Sequence, residues 1–394
     1  MKRSIVFLLA ISLILCLLSC QEDKNPDKTV DTAAKTTEPS ASTTTTSPYG
    51  DESLIPTDES LFEYEARNIG TVAIKKYIGE EADVVIPAEI GGKKVIEIGS
   101  QAFTGGKISS IVLPNCVETI LGGAFMDCSA LKKATFNEGL KNIGPSAFEN
   151  CTGLGEISLP SSIETIEGGA FMNCSALRKA VLNEGLKEIG SSAFEGCESL
   201  SDVNLPDSLE NLYFYAFVGC KALKSINIPT DCLGNGSTSL FISSGLESIT
   251  LNEGITFIPG NFISYTNVTE VILPSTVKTI DAYAFSMCHK LKSITLNEGL
   301  ECIGYRAFIG QNNLTEIVIP KTVKVVQDTA FDSSAPDGET RDQTIKVKFE
   351  GNAPEQFIDN GTTIEKNVHI TICYHDGAKG FTYPEWNGYP TEIW

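Results

Sequence analysis

Apolar positions in this chain recur with a fixed long period, and phenylalanine marks it. Phe125, Phe148, Phe171, Phe194 and Phe217 stand 23 residues apart, as do Phe262, Phe285, Phe308 and Phe331; Phe103 and Phe241 fit with a shift of one. That makes eleven rungs, and alanine precedes the phenylalanine in all but two, where Leu240 and Asn261 stand instead. A second marker runs in step. One class of rung ends its apolar stretch on Leu113-Pro114, Leu159-Pro160, Leu205-Pro206, Ile228-Pro229, Leu273-Pro274 or Ile319-Pro320. The other ends on Phe136-Asn137-Glu138-Gly139, Leu182-Asn183-Glu184-Gly185, Leu251-Asn252-Glu253-Gly254 or Leu296-Asn297-Glu298-Gly299. For most of the chain the two classes alternate, which gives a 46-residue double unit.

The pattern predicts short strands. Within a rung, L-x-x-I-x-L turns alternate side chains inward. Pro cannot donate to a ladder and Gly permits a turn, so either one ends the strand. A second pair, such as Val117 and Ile120, turns another face inward, and Ala-Phe closes the coil: Ala lets backbones approach and Phe fills the core. No rung can bury its apolar face alone, so stacking must supply one continuous core. Eleven rungs at a strand spacing of about 4.8 Å give a rod or shallow arc of roughly 50 Å. An array of this kind grows along one axis, so the 394 residues do not call for several globular domains.

Two segments precede the array. Residues 1–20 read as a lipoprotein leader: Lys2 and Arg3, an apolar run from Ile5 to Leu18 too short to span a bilayer comfortably, then Ser19-Cys20. Leu17-Leu18-Ser19-Cys20 resembles a bacterial lipobox, in which Cys20 becomes the acylated first residue, with Leu18 where a smaller residue is common. Acyl chains each contribute about 0.8 kcal/mol per buried CH₂, enough in combination for a stable anchor. Gln21 after the cysteine would place the protein on the outer membrane of a diderm. Residues 21–60, rich in Asp, Glu, Lys, Thr, Ser and Pro, lack the apolar surface to order themselves and read as a tether.

From the first rung onward the residues resemble a family. The period, the Leu-Pro and Asn-Glu-Gly strand ends and the Ala-Phe-x-x-Cys segments are similar to the BspA-like leucine-rich repeats of bacterial surface proteins. Phe62-Glu63-Tyr64, Val85-Ile86-Pro87 and Ile98-Gly99-Ser100-Gln101-Ala102-Phe103 look like a first repeat. Phe349-Glu350-Gly351-Asn352-Ala353-Pro354, Ile370-Thr371-Ile372-Cys373-Tyr374, Trp386-Asn387-Gly388-Tyr389-Pro390 and Trp394 look like a C-terminal cap. The resemblance implies a right-handed leucine-rich-repeat solenoid of 23-residue rungs, with short parallel β-strands and short helical turns. The array would run over residues 61–331 and the capping region over 332–394. It also implies adhesion to host matrix proteins or other bacteria. Residues 229–262 depart from the pattern, as a degenerate rung or a binding loop, and 332–344 form a polar break.

Chemistry adds little to this picture. Cys128, Cys151, Cys174, Cys197 and Cys220 recur once per rung, with Cys288 in phase. A one-dimensional ladder does not gather four zinc ligands. In-register stacking holds Cβ atoms about 5 Å apart, beyond the usual disulfide range. Buried free thiols are expected. His289, His369 and His375 are scattered, and no H-E-x-x-H, G-x-S-x-G or P-loop is present, so the chain reads as a non-enzyme without cofactor or metal. Glu138, Glu184, Glu253 and Glu298 repeat in turns and read as a solvated acidic row, with calcium binding as the alternative. The net charge of −20 becomes −22 without Lys2 and Arg3 and argues against nucleic acid or anionic lipid as partner.

The outward strand positions remain. One line runs Ser110, Lys133, Glu156, Lys179, Asp202, Ser225, Ser248, Glu270, Ser293, Glu316; its early part alternates in sign. The other runs Val112, Thr135, Ser158, Val181, Asn204, Asn227, Thr250, Ile272, Thr295, Val318. The candidate binding face is drawn from these lines: Lys133, Glu156, Lys179 and Asp202, with Thr135, Ser158, Val181, Asn204, Asn227 and Thr250. Neither line carries the Trp, Tyr and Arg of an interface hot spot. The expected role is a monomeric adhesin-type protein at the bacterial surface, held to the membrane only by its lipid anchor. Its partner would be a host matrix or bacterial surface protein. The alternatives are a structural spacer lipoprotein or a glycan-binding accessory of nutrient uptake.

Overall fold

The computed structural model describes residues 47–234, 236–327, 329–331, 344–357 and 370–394. The leader with Cys20, the tether as far as residue 46, His369 and nearly all of the polar break at 332–344 lie outside the described residues.

Each rung contributes two short strands and one turn. The first strands, Asp83–Val85, Ser110–Val112, Lys133–Thr135, Glu156–Ser158, Lys179–Val181 and Asp202–Val203, form one parallel ladder in chain order. The second strands, from Thr71–Tyr77 and Lys93–Ile98 through Thr119–Ile120, Asn142–Ile143, Thr165–Ile166 and Glu188–Ile189 to Asn211–Leu212, form another. The coil continues past the last phenylalanine rung. Glu316–Ile319 pairs in parallel with Ile345–Phe349, which pairs with Ile370–Tyr374, which pairs with Tyr389–Ile393. The capping region is therefore built largely by extending the solenoid. Antiparallel strands close both ends, Phe62–Ala66 on Thr71–Tyr77 and Glu385–Trp386 on Tyr389–Ile393, and so blunt edges that would otherwise template aggregation.

Order begins earlier than residue 61. Asp83–Val85 is the edge of its ladder, and Thr57 satisfies that edge: its N–H donates to Val85 O at 2.9 Å, and its hydroxyl accepts from Val85 N at 3.0 Å. Tyr49, only 7% exposed, donates to Ile86 O at 3.1 Å. Residues 47–60, which the composition assigns to the tether, thus pack on the first turns.

The Ala-Phe turns are not helical. Around Phe148, the N–H groups of Ser146, Phe148 and Asn150 donate to Gly168, Ala170 and Met172 of the next rung at 2.9, 2.7 and 2.8 Å. Those of Ala147, Glu149 and Cys151 close local turns onto Gly144, Ser146 and Phe148. Ser146 and Asn150 have φ of 54° and 59°, so successive amides face alternately along the axis and inward. A helix would consume every N–H within itself and leave none to join rungs. This corrects the short helical turns expected above; among the described residues only Glu59–Leu61 and Thr230–Cys232 are 3-10 stretches.

Phenylalanines stack through the core. Ring centroids from Phe103 to Phe125, Phe148, Phe171, Phe194, Phe217 and Phe241 lie 4.8–5.6 Å apart and nearly parallel, and Tyr77 heads the column. The next rung breaks it. Ile263 N donates to Ala284 O at 3.1 Å, as Phe148 does to Ala170 O and Phe285 to Ala307 O on their own following rungs, and Ile263 is fully buried. Ile263 therefore occupies the phenylalanine position and Phe262 the alanine position, with the Phe262 ring edge-on to Phe241 at 80°.

The cysteine column seals the same turns. Cys128, Cys151, Cys174, Cys197 and Cys220 each donate to the phenylalanine carbonyl of the preceding rung at 3.0–3.3 Å, and Cys288 to Ile263 O at 3.2 Å. The ten described cysteines are free, and all but Cys116 are buried. Burial raises the thiol pKa values of the column cysteines, that of Cys128 to about 11 and that of Cys288 to about 12. A raised pKa keeps the thiol protonated, and the thiolate is the reactive form. Iodoacetamide at pH 8 is accordingly expected to label Cys116 first among these ten and the ladder thiols only on unfolding. Site-resolved mass spectrometry checks this; fast native labelling of Cys174 would contradict it.

The alternation of rung classes has a physical cause. Asn183 Nδ2 donates backward to Leu159 O of the preceding Leu-Pro rung, as Asn137 does to Leu113 O. Glu184 and Gly185 face forward. The Glu184 carboxylate accepts from Asp207 N and Ser208 N, and Gly185 N donates to Ser208 Oγ at 3.0 Å. Gly185 has φ 112°, and a Cβ there would sit 2.6 Å from Ser161 O, so only glycine fits. The same set recurs at Glu138-Gly139 with Ser161-Ser162, and at Glu253-Gly254 with Ser275-Thr276. The Asn137 and Asn183 rungs are thus each complementary to a Leu-Pro rung on either side. At 206 and 229 two Pro-type rungs meet, and there both ladders break, after Asp202–Val203 and after Asn211–Leu212. The loop from Thr230 fills the gap, and buried Ser237 supplies a hydroxyl to Leu212 O at 2.5 Å.

Candidate binding surfaces

The strand face stacks its predicted residues in register. Lys133 lies opposite Glu156, Glu156 opposite Lys179, and Lys179 opposite Asp202. All four are exposed. Lys179 Nζ reaches Asp202 Oδ2 at 2.7 Å, a contact that raises the lysine pKa through the hydrogen bond to Asp202. Arg178 approaches Glu156 at 3.9 Å. Exposed pairs of this kind add little to stability, because solvent screens them. In the second column Ser158 lies opposite Val181, and Asn227 opposite Thr250. Thr135 and Val181 are half-buried, and Ser158, Asn204, Asn227 and Thr250 are exposed. The ladder break falls between Asn204 and Asn227, so the ten predicted residues occupy two stretches of sheet and not one.

The acidic row is not simply solvated. Glu138, Glu184 and Glu253 cap backbone N–H groups of the following rung, and hydrogen bonding from Ser275 lowers the Glu253 pKa. Among the described residues no group of three or more His, Cys, Asp or Glu could hold a metal ion, and no helix is long and apolar enough to cross a membrane. His289 Nδ1 lies 3.0 Å from Gly310 O, while His375 stacks on Trp394 at 4.4 Å and its Nδ1 lies 3.2 Å from Trp394 O. A cleft of about 470 Å³ between the 47–60 segment and the first turns is lined by Tyr49, Thr57, Asp58, Glu59 and Glu89, with prolines 48, 56 and 87.

The turn side holds a surface that strand alternation does not reveal. Two residues before each core phenylalanine, the backbone is left-handed. Gln101, Gly123, Ser146, Gly169 and Ser192 hold that position on the early rungs; Tyr215, Ser239, Asn261, Tyr283, Arg306 and Thr329 hold it later. Phe214 and Tyr305 stand one residue earlier on their rungs. Phe214 is 42% and Tyr215 38% exposed, and Tyr265, four residues beyond Asn261, is 51% exposed. Tyr283 and Tyr305 meet edge to face at 5.4 Å, and the Arg306 guanidinium lies 5.0 Å above the Tyr305 ring. Reading the chain by its position relative to phenylalanine, instead of by strand alternation, exposes this clustering.

The family model of the BspA type leucine rich repeat region matches residues 96–224 and 212–336, in six copies. No curated protein matches the chain. Among solved structures, a leucine rich repeat protein of T. pallidum is 29% identical with a TM-score of 0.43, covering 52% of this chain and 88% of that one. A leucine rich cell surface protein from Faecalibacterium prausnitzii A2-165 is 24% identical with a TM-score of 0.49, covering 86% and 99%. The pneumococcal vaccine antigen PcpA is 19% identical with a TM-score of 0.46, covering 80% and 92%.

Proposed function

The chain belongs to the BspA-type leucine-rich-repeat family, and from that premise we propose that it is a bacterial surface protein that binds a protein partner through the strand face. Cys20 carries the lipid anchor, on the outer membrane if the cell is a diderm, and the segment after it lifts the solenoid from the membrane. The partner is a host matrix or bacterial surface protein, met by a monomer.

The observation that carries this reading is the in-register column of exposed alternating charge from Lys133 to Asp202. A rigid ladder fixes these groups at rung spacing, so little order is lost when a partner docks. Charged rims of this kind steer encounter and fix register more than they add affinity. The overall charge of −20 makes a basic partner surface the favoured complement.

The test is binding of the full chain to a panel of matrix proteins and partner bacteria, followed by the double variant Lys133→Glu, Lys179→Glu. The expected result is saturable binding whose association rate changes at least severalfold in the variant and depends on salt. Unchanged rates at every salt concentration would remove the strand face from the reading. No binding by the folded chain to any member of the panel would leave a spacer role.

A further inference from the structure

We infer that the turn side between the Phe217 and Phe308 rungs is a carbohydrate-binding site, in which an oligosaccharide lies between Tyr215 and Tyr283 over Ser239 and Asn261. Three observations lead there.

The first is conformational. Tyr215, Tyr265 and Tyr283 have φ of 62°, 60° and 61°. A left-handed backbone costs an L-residue roughly 1–2 kcal/mol, and a bulky side chain there is an outlier. Elsewhere Gly169, Ser192, Asn150 and Asn173 fill the same positions, as do Gln101, Asp127, Met287, Arg306 and Thr329; among the described residues, aromatic rings stand there on these rungs alone. The turn imposes this backbone on every rung, so the rings and not the backbone set these rungs apart.

The second is exposure. Tyr215 and Tyr265 are 38% and 51% exposed, and Tyr283 is half-buried. Ser192 and Ser239, on the rungs either side of Tyr215, show that the turn forms without an aromatic ring.

The third is composition and spacing. Across the Phe217 to Phe308 rungs, the two columns that precede the core residue hold aromatic, hydroxyl, amide and arginine side chains, with glycine and one alanine. They hold no lysine, no carboxylate and no branched aliphatic. A protein hot spot would bring apolar area around its aromatics, and a charged ligand would bring countercharge. An aromatic face instead suits the C–H face of a sugar ring, because its π cloud is the negative face of a quadrupole. Asn261 and Arg306 offer donors and acceptors to sugar hydroxyls. Tyr215 and Tyr283 are three rungs apart, or about 14 Å at ladder spacing. Small residues on the two rungs between them leave room for a ring.

The test uses the full chain against maltohexaose, cellohexaose, xylohexaose and chitotriose by isothermal calorimetry. The variants are the double substitution Tyr215→Ser, Tyr283→Ser and, as a control, Tyr64→Ser, an exposed tyrosine at the far end of the array. The expected result is saturable binding of at least one oligosaccharide, unchanged in the control. The double variant should bind at least tenfold more weakly while melting at the same or a higher temperature. Binding of none of the four by the native chain overturns the proposal. So does equal affinity in the double variant, or a lower melting temperature there, which would make the tyrosines structural. So would loss of a protein partner, and of no sugar, in the double variant. The site shares no residue with the strand face, and its failure would leave that reading standing.

Discussion

Replacing Phe171 by alanine is expected to destabilise the solenoid by about 3–5 kcal/mol. The ring is fully buried and stacks on Phe148 at 5.3 Å and on Phe194 at 5.5 Å. Collapse around the void is blocked, because the backbone on either side is tied rung to rung: Phe148 N donates to Ala170 O at 2.7 Å and Phe171 N to Ala193 O at 2.8 Å. Truncation costs most where neighbours cannot relax. Phe331, at the end of its stack and 4% exposed, should cost less when truncated. Urea unfolding of both variants measures the difference. A loss below about 1 kcal/mol for Phe171→Ala would mean that the column does not carry the core.

Deleting residues 183–205, one rung, is expected to harm the protein more than deleting 160–205, a double unit of twice the length. The longer deletion sets the Glu138-Gly139 turn against Pro206-Asp207-Ser208 and restores every complementary contact. The shorter one sets Pro160 against Pro206. Leu159 O then loses its Asn183 donor, and Ser208 loses both Gly185 N and the Glu184 carboxylate. Each buried polar group left unpaired costs about 1–3 kcal/mol, so the shorter deletion should be less stable by at least about 2 kcal/mol. The native junction of two Pro-type rungs at 206 and 229, where both ladders break, is the precedent. Thermal melts followed by circular dichroism decide it; a one-rung deletion as stable as the double would show the rung classes to be interchangeable.

Much of the array is legible in the chain because inward side chains repeat with the rung. The phenylalanine period, both strand lines and the cysteine column follow from that alone. What the rungs do to one another is less legible. Asn183 and Glu184 look like turn residues until register brings Leu159 and Ser208 beside them. Ile263 cannot be recognised as the core residue of its rung while Phe262 beside it carries the expected side chain; only the hydrogen bond to Ala284 distinguishes them. The Ala-Phe turns look helix-compatible, and it is the left-handed residues flanking each core phenylalanine that turn amides along the axis. Tyr215 and Tyr283 escaped the strand lines because they do not lie on strands. Residues 47–60 are too polar to suggest order, yet Tyr49 and Thr57 satisfy an edge that would otherwise be open.

The turn ladder also gives the molecule an electrical direction. Peptide dipoles in a sheet largely cancel between strands. In the Ala-Phe turns the amides that join rungs all point toward the C-terminal end, and the carbonyls that receive them point back, as Ser146 to Gly168, Phe148 to Ala170 and Asn150 to Met172 illustrate. Each aligned peptide carries about 3.5 D, and the sum grows with every rung added. The last turn, near Phe331, is thus the positive pole of that edge and the turn at Phe103 its negative one. A charged molecule approaching along this side of an otherwise acidic protein meets a gradient that orients it along the axis before any side chain is touched.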